Sequence, residues 1–119
     1  MAVPISKFGK DHWSTFAYVE ACAVDNKGKL EPRRMRCDEA RHPQFAHIRG
    51  ETPPTRLRGD EVLHDHDDWD CLDDCELCGL VQNIGTGINR IYRLTPLGQQ
   101  IASYLRVHKQ SGGFASFSF

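Results

Sequence analysis

Between Asp60 and Glu76 the chain has no Lys and no Arg, although that stretch holds nine of its sixteen acidic residues. Whatever element it forms carries negative charge without local neutralisation. No apolar run approaches the roughly 20 residues that a membrane-spanning helix needs. The first residues also lack the apolar core of about 7–15 residues that marks a secretory signal, so a cytoplasmic protein without a membrane partner is expected. Cysteine is too sparse and too unevenly placed for a disulfide framework: there are five, an odd number, and three crowd into Cys71, Cys75 and Cys78. Their remaining roles are reduced thiols or metal ligands. A Walker loop, a Gly-x-Ser-x-Gly elbow and a His-Glu-x-x-His motif are all missing, and no enzymatic activity is expected. Nor is there an internal repeat or a sign of a second domain in the 119 residues, a length at which one domain buries a core without staples.

What is present is a segregation of charge that the formal net charge of −1 hides. Residues 27–58 carry Lys27, Lys29, Arg33, Arg34, Arg36, Arg41, Arg49, Arg56 and Arg58 against only Glu31, Asp38, Glu39 and Glu51. Arginine outnumbers lysine there by seven to two, and guanidinium forks suit phosphate or carboxylate better than an ammonium does. One half of the chain is basic and the other acidic.

Residues 1–10 read as an N-terminal arm with Pro4 and Gly9. Asp11 is placed to cap a helix from about His12 to Val24, which carries Trp13, Phe16, Ala17, Val19 and Ala23 at helical spacings. After a turn at Asp25-Asn26-Lys27-Gly28, Lys29-Leu30-Glu31 is either a short strand or the entry to a second helix with Pro32 at its first position. From Asp38 to Gly59, Pro43, Gly50, Pro53, Pro54 and Gly59 interrupt any period and predict a long ordered loop. A loop of about 20 residues inside a small domain usually has a job or a staple.

The acidic block then reads as a helix: Trp69, Leu72, Cys75 and Gly79 fall on one stripe, with Asp70, Asp73 and Asp74 opposite, and acid at its start suits the helix dipole. Leu80 to Ile84 and Ile88 to Leu94 flank Gly85-Thr86-Gly87 as a β-hairpin. Thr95 is a suitable N-cap and Pro96 a suitable first residue for a closing helix whose buried stripe is Leu97, Ile101, Leu105 and His108. Residues 110–119 read as a flexible Gly/Ser/Phe tail; Phe114, Phe117 and Phe119 suit folding back, packing in a homodimer or docking into a partner. The expected fold is α+β and mostly helical, one domain over residues 11–109 with a loop-rich insertion at about 38–59 between the second and third helices.

Cys78-Gly79-Leu80-Val81, followed by Tyr92-Arg93-Leu94-Thr95-Pro96-Leu97-Gly98, resembles the winged-helix regulators of the MarR and PadR kind over residues 69–108. In that family the recognition helix ends in a Gly-Leu-Val-like step, a short hairpin forms the wing, and the next helix opens on a Leu-Thr-Pro-x-Gly-like turn. The resemblance implies a winged-helix-like domain containing a helix-turn-helix, with the acidic block standing where the DNA-reading helix would be.

That helix enters a groove walled by phosphates, where cations gain affinity by releasing counterions; six carboxylates from Asp67 to Glu76 act in the opposite sense. Each unpaired contact costs on the order of 1 kcal/mol after screening. The first functional reading is therefore a protein-binding adaptor or inhibitor, of the mobile-element, phage-derived or DNA-mimic kind, presenting Asp67, Asp68, Asp70, Asp73 and Asp74 to a basic or nucleic-acid-handling partner. The alternative is a DNA- or RNA-binding transcriptional regulator that contacts phosphate through Arg33, Arg34, Arg36, Arg56 and Arg58 and through Arg90 and Arg93 of the wing. The bland reading of the same acids is a solvated face, or a set paired internally with the arginines.

Two zinc arrangements compete with buried thiols. Cys37-x4-His42 and His66-x4-Cys71 are mirrored pairs flanking the loop, and two sulfurs with two imidazoles close a tetrahedral structural site. Cys75-x2-Cys78 is the other half-site, although a Cys beside core positions often serves as a small apolar residue. His64 and His66 beside Asp65, Asp67 and Asp68 form a weaker candidate for a surface divalent cation.

Overall fold

The computed structural model describes residues 3–45, 54–87 and 89–119. Of the expectations above, residues 1–2 of the arm, loop residues 46–53 with Arg49 among them, and Ile88 lie outside the described residues. The described chain is a small α+β domain: α1 (Lys10–Asp25), β1 (Thr55–Arg56), β2 (Val62–Leu63), α2 (Asp68–Leu77), β3 (Val81–Asn83), β4 (Tyr92–Leu94) and α3 (Pro96–Lys109), with the strands in two antiparallel pairs. Among the described residues no helix is long and apolar enough to cross a membrane.

Helix α1 starts earlier than its polar residues suggest. Gly9, not Asp11, is the N-cap, because the backbone of Arg56 and Leu57 lies against the Gly9 Cα and leaves no room for a side chain. The Asp11 carboxylate accepts the Arg56 amide instead, at 2.6 Å. Trp13, Phe16 and Val19 are buried as the spacing predicts, and they meet Trp69, Leu72 and Cys75 of α2 in one core.

Among the described residues no second α-helix precedes the acidic one. Lys29 forms a β-bridge to Ile91, and Pro32–Arg34 makes only a single 3₁₀ turn. Between Glu31 and Asp38 three backbone amides go to side chains: Glu31 donates to the Tyr18 hydroxyl, Arg36 to the Asp68 carboxylate and Asp38 to the Asp67 carboxylate, each at 2.8 Å. A helix there would withdraw those donors. The loop-rich insertion therefore separates the first and second α-helices, not the second and third. It also contains an unanticipated hairpin, in which Thr55 pairs with Leu63 and Arg56 with Val62. Gly59 and Asp60 adopt positive φ at its turn, and Leu57 donates to the Glu61 carbonyl at 2.8 Å.

The C-terminal part follows its local signals. Val81, Gln82 and Asn83 pair with Leu94, Arg93 and Tyr92, although the reversal is centred later than expected, between the bridged Thr86 and Asn89. Thr95 caps α3 by accepting the Gly98 amide at 3.0 Å. Gly98 lies directly against the Leu80 carbonyl, where a Cβ would collide. Leu97, one position earlier and about 100° round the helix, is turned outward and is 41 % exposed; the buried stripe is Ile101, Ala102 and Leu105.

Residues from Val3 onward and the C-terminal phenylalanines pack where an arm and a flexible tail were expected. Val3 and Phe8 are core residues. At the other end Phe117 is buried, edge-on to Trp13 at 4.8 Å, while Phe119 stacks on Tyr104 and Lys109 sits 4.0 Å from the centre of the Phe114 ring.

Candidate functional site

The acidic block divides: Asp67, Asp68 and Asp74 are buried, Asp70 and Asp73 are half-buried, and Asp60, Glu61, Asp65 and Glu76 are exposed. Asp67 caps α2 in a reciprocal box with Asp70: its carboxylate accepts the Asp70 amide at 3.0 Å, and the Asp70 carboxylate accepts the Asp67 amide at 3.1 Å. The same Asp67 carboxylate, fully buried, takes the Asp38 amide and lies 2.8 Å from His42 Nδ1. Asp68 receives both the Arg36 amide and Arg36 Nε at 2.8 Å. Burial outweighs this donor set and raises the Asp68 carboxyl above its ordinary value.

Asp74 was expected on the solvent face, opposite the Trp69 stripe, and is 3 % exposed. Its Oδ2 meets His12 Nε2 of α1 and His66 Nε2 of the segment before α2, each at 2.8 Å, and its Oδ1 accepts the Val3 amide. Burial alone would raise this carboxyl; hydrogen bonds from His12, His66 and Val3 prevail and hold it at about 2. Asp70 pairs with Arg41 at 3.2 Å. Asp73 is the most open of the five proposed contact acids, 44 % exposed at its side chain, and pairs with Arg90 at 3.3 Å.

The seven arginines proposed for phosphate contact divide into two groups. Arg36 is spent on Asp68, Asp11 and the Thr55 hydroxyl. Arg90 is half-buried, 5.3 Å over the Trp69 ring and bonded to Asp73 and the Tyr92 hydroxyl; the Tyr92 phenol, pushed up by burial, reaches about 12. Arg93 is exposed and binds Gln82. Arg33, Arg34, Arg56 and Arg58 are exposed. The segments that bear them run along one face of α1 and the turn before it. The Arg58 amide donates to the Lys7 carbonyl and the Arg56 amide to Asp11, and Arg34 shares a cavity of about 230 Å³ with Ser14, Thr15 and Tyr18. Arg34 reaches Glu31, and Lys7 reaches Glu61, only through exposed pairs of 3.4 and 3.5 Å, the kind worth about 0–1 kcal/mol.

The mirrored Cys/His quartet does not assemble. His66 and Cys71 come together, but with His12 of α1; one potential ligand atom from each lies within 4.8 Å of the others. His42 instead joins Asp67 and Asp70 in a separate group. Cys37 belongs to neither group: its Sγ points to the His42 and Phe45 carbonyls at 3.9 and 4.0 Å, and burial raises its thiol to about 11. Cys75 lies in the core and Cys78 donates to the Val3 carbonyl, with no third donor gathered beside them among the described residues. His64 and Asp65 are exposed and apart from the inward-turned His66, Asp67 and Asp68.

His12 and Thr55 are the participants that sequence reasoning missed. A His flanked by Trp13 on an apolar helix face signals core; only the approach of α2 gives it chemistry. Comparison with protein-family models, with curated proteins and with solved structures finds no match to this chain.

Proposed function

We propose that the chain is a non-enzymatic, winged-helix-like binding domain that contacts nucleic-acid phosphates through Arg33, Arg34, Arg56 and Arg58. The observation that carries this reading is the opposite fate of the two charges: Asp67, Asp68 and Asp74 are buried in hydrogen bonds, while these arginines are exposed along one face of α1. The acids that argued against phosphate are in large part consumed inside, and the cations are left to the surface. The order α1, bridged Lys29, α2, hairpin and α3 supports the winged-helix relation, with the arginine-bearing segments in place of a second helix. A non-enzymatic role agrees with thiols that burial drives away from the reactive thiolate at Cys37 and Cys71. The reading includes a structural zinc ion, which imidazole and thiol donors favour.

Fluorescence anisotropy with a labelled mixed-sequence duplex tests it. Affinity is expected to fall steeply between about 50 and 200 mM salt, and Arg33→Ala with Arg34→Ala to flatten the log–log salt slope by about 2 while circular dichroism is unchanged. Absence of binding at the lower salt, or binding indifferent to the double variant, removes the reading.

A second reading, an adaptor or inhibitor that docks a basic protein, draws on what α2 still presents outward: Asp73, Glu76 and Leu77, the last 71 % exposed. It requires that Asp73→Asn with Glu76→Gln weaken capture of a basic partner without lowering the melting temperature.

A further inference from the structure

Among the described residues two groups of side chains gather metal-ligating atoms, and they differ in how far hydrogen bonds already use them. In the group of His42, Asp67 and Asp70 the carboxylates hold the α2 capping box and the Asp38 amide. An ion there would dismantle the start of the helix. The other group is His12, His66 and Cys71; the Nε2 atoms of its two imidazoles also converge on a single oxygen of Asp74, which lies outside the group.

We propose that His12, His66, Cys71 and Asp74 form a zinc site that ties α1 to α2 and to the segment following β2. Two imidazoles, one thiolate and one carboxylate are a donor set suited to a borderline-soft, tetrahedral ion. Cys71 and Asp74 are three residues apart on α2 and so share the face turned to α1. With two neutral imidazoles the dication is balanced by one thiolate and one carboxylate, so the buried site carries no net charge. Bonds of about 2.0–2.3 Å set tetrahedral donors roughly 3.3–3.8 Å apart. The trio of His12, His66 and Cys71, now within 4.8 Å, needs to close by about an ångström.

His12 is fully buried and stacked on Phe8 at 4.3 Å; its Nδ1 has no hydrogen-bond partner among the described residues. Bound through Nε2, this imidazole keeps its hydrogen on Nδ1, so His12 enters the site with an N–H that no described residue accepts. Neighbouring groups hold the other candidate ligands. The buried Thr55 hydroxyl lies 3.8 Å from Cys71 Sγ and donates to the His66 carbonyl, while the Val3 amide holds the second Asp74 oxygen. Binding releases the Cys71 thiol proton to solvent and leaves each imidazole hydrogen on the nitrogen away from the ion.

Titrating metal-free full-length protein with Zn²⁺ and with Co²⁺ tests the site, independently of any nucleic-acid measurement. One ion per chain is expected, with cobalt giving the visible bands of a tetrahedral centre and a thiolate charge-transfer band. Cys71→Ser should abolish that band and weaken zinc binding by more than about tenfold, the lower end of what even outer-shell changes cost; Cys78→Ser and Asp70→Asn should leave both unchanged. A wild-type chain that takes up neither ion, or a cobalt spectrum that persists in Cys71→Ser or disappears in Asp70→Asn, overturns the assignment. The wild-type titration decides the matter even if Cys71→Ser fails to fold.

Discussion

Residues 79–109 and residues 29–67 solve the same problem in opposite ways. In the first region the partners are mostly close in sequence: Val81, Gln82 and Asn83 pair across a short hairpin, the Asn83 side chain accepts the Gly85 and Ile91 amides, and α3 opens on its own Thr95 cap, with the Tyr92 amide alone of these reaching far, to the Gly28 carbonyl. In the second, the amides of Glu31, Arg36, Asp38 and Arg56 are satisfied by side chains of Tyr18, Asp68, Asp67 and Asp11, from 13 to 45 residues away. Carboxylates there do the work that a β-strand or helix turn does elsewhere. The difference teaches why an acidic block can be structural: an ionised carboxylate that accepts several amides organises a loop having too few apolar side chains to organise itself.

The sharpest way to break this comparison is to remove the acceptor that serves the loop most. Asp67→Ala deletes the α2 cap, the Asp38 contact and the partner of buried His42 together. It is expected to cost about 3–5 kcal/mol, as loss of one member of a buried pair does, read as a fall in the urea midpoint. A cost under about 1 kcal/mol would mean that the loop is held by its apolar contacts alone.

The next effect is one of pH. Asp74 lies below its ordinary value of 3.8, at about 2, where hydrogen bonds from His12, His66 and Val3 overcome the upward push of burial. Because the unfolded chain binds this proton first as pH falls, the stabilisation is present above the ordinary value and disappears on the way down to pH 2. For metal-free protein it amounts to on the order of 2 kcal/mol. Unfolding of the wild type should weaken over that acid range, and Asp74→Asn should flatten this part of the curve; parallel curves for the two proteins would contradict the pairing.

The smallest effect belongs to the locally organised region. Thr95→Ala removes a cap in which Oγ1 accepts the Gly98 amide, and should lower stability by about 1 kcal/mol, visible as a small drop in melting temperature with the hairpin intact. A loss comparable to that of Asp67→Ala would erase the distinction between the regions.

The same contrast explains what was legible beforehand. The spacing of Trp13, Phe16 and Val19, the Trp69-Leu72-Cys75 stripe and the Thr95-Pro96 start identify α1, α2 and α3 because each signal lies within one or two turns of the residue it governs. The 55–63 hairpin had such a signal in Gly59-Asp60, but it was obscured by the arginines and prolines around it. The partition of the metal candidates had none. Cys37 and His42 match His66 and Cys71 in spacing, yet the His42 ring goes to Asp67 while His66 and Cys71 meet His12, 54 and 59 positions earlier in the chain.

The sequence by itself determined the three helices, the C-terminal hairpin and the unequal distribution of charge, since helical period, capping chemistry and composition are local properties. Only the tertiary structure decided which charges remain available. Whether an Asp on α2 faces solvent or a neighbouring backbone depends on where residues 31–42 and α1 come to lie. That placement follows from burying Trp13, Met35, Phe45 and Trp69 in one core, a packing preference that no short window of sequence contains.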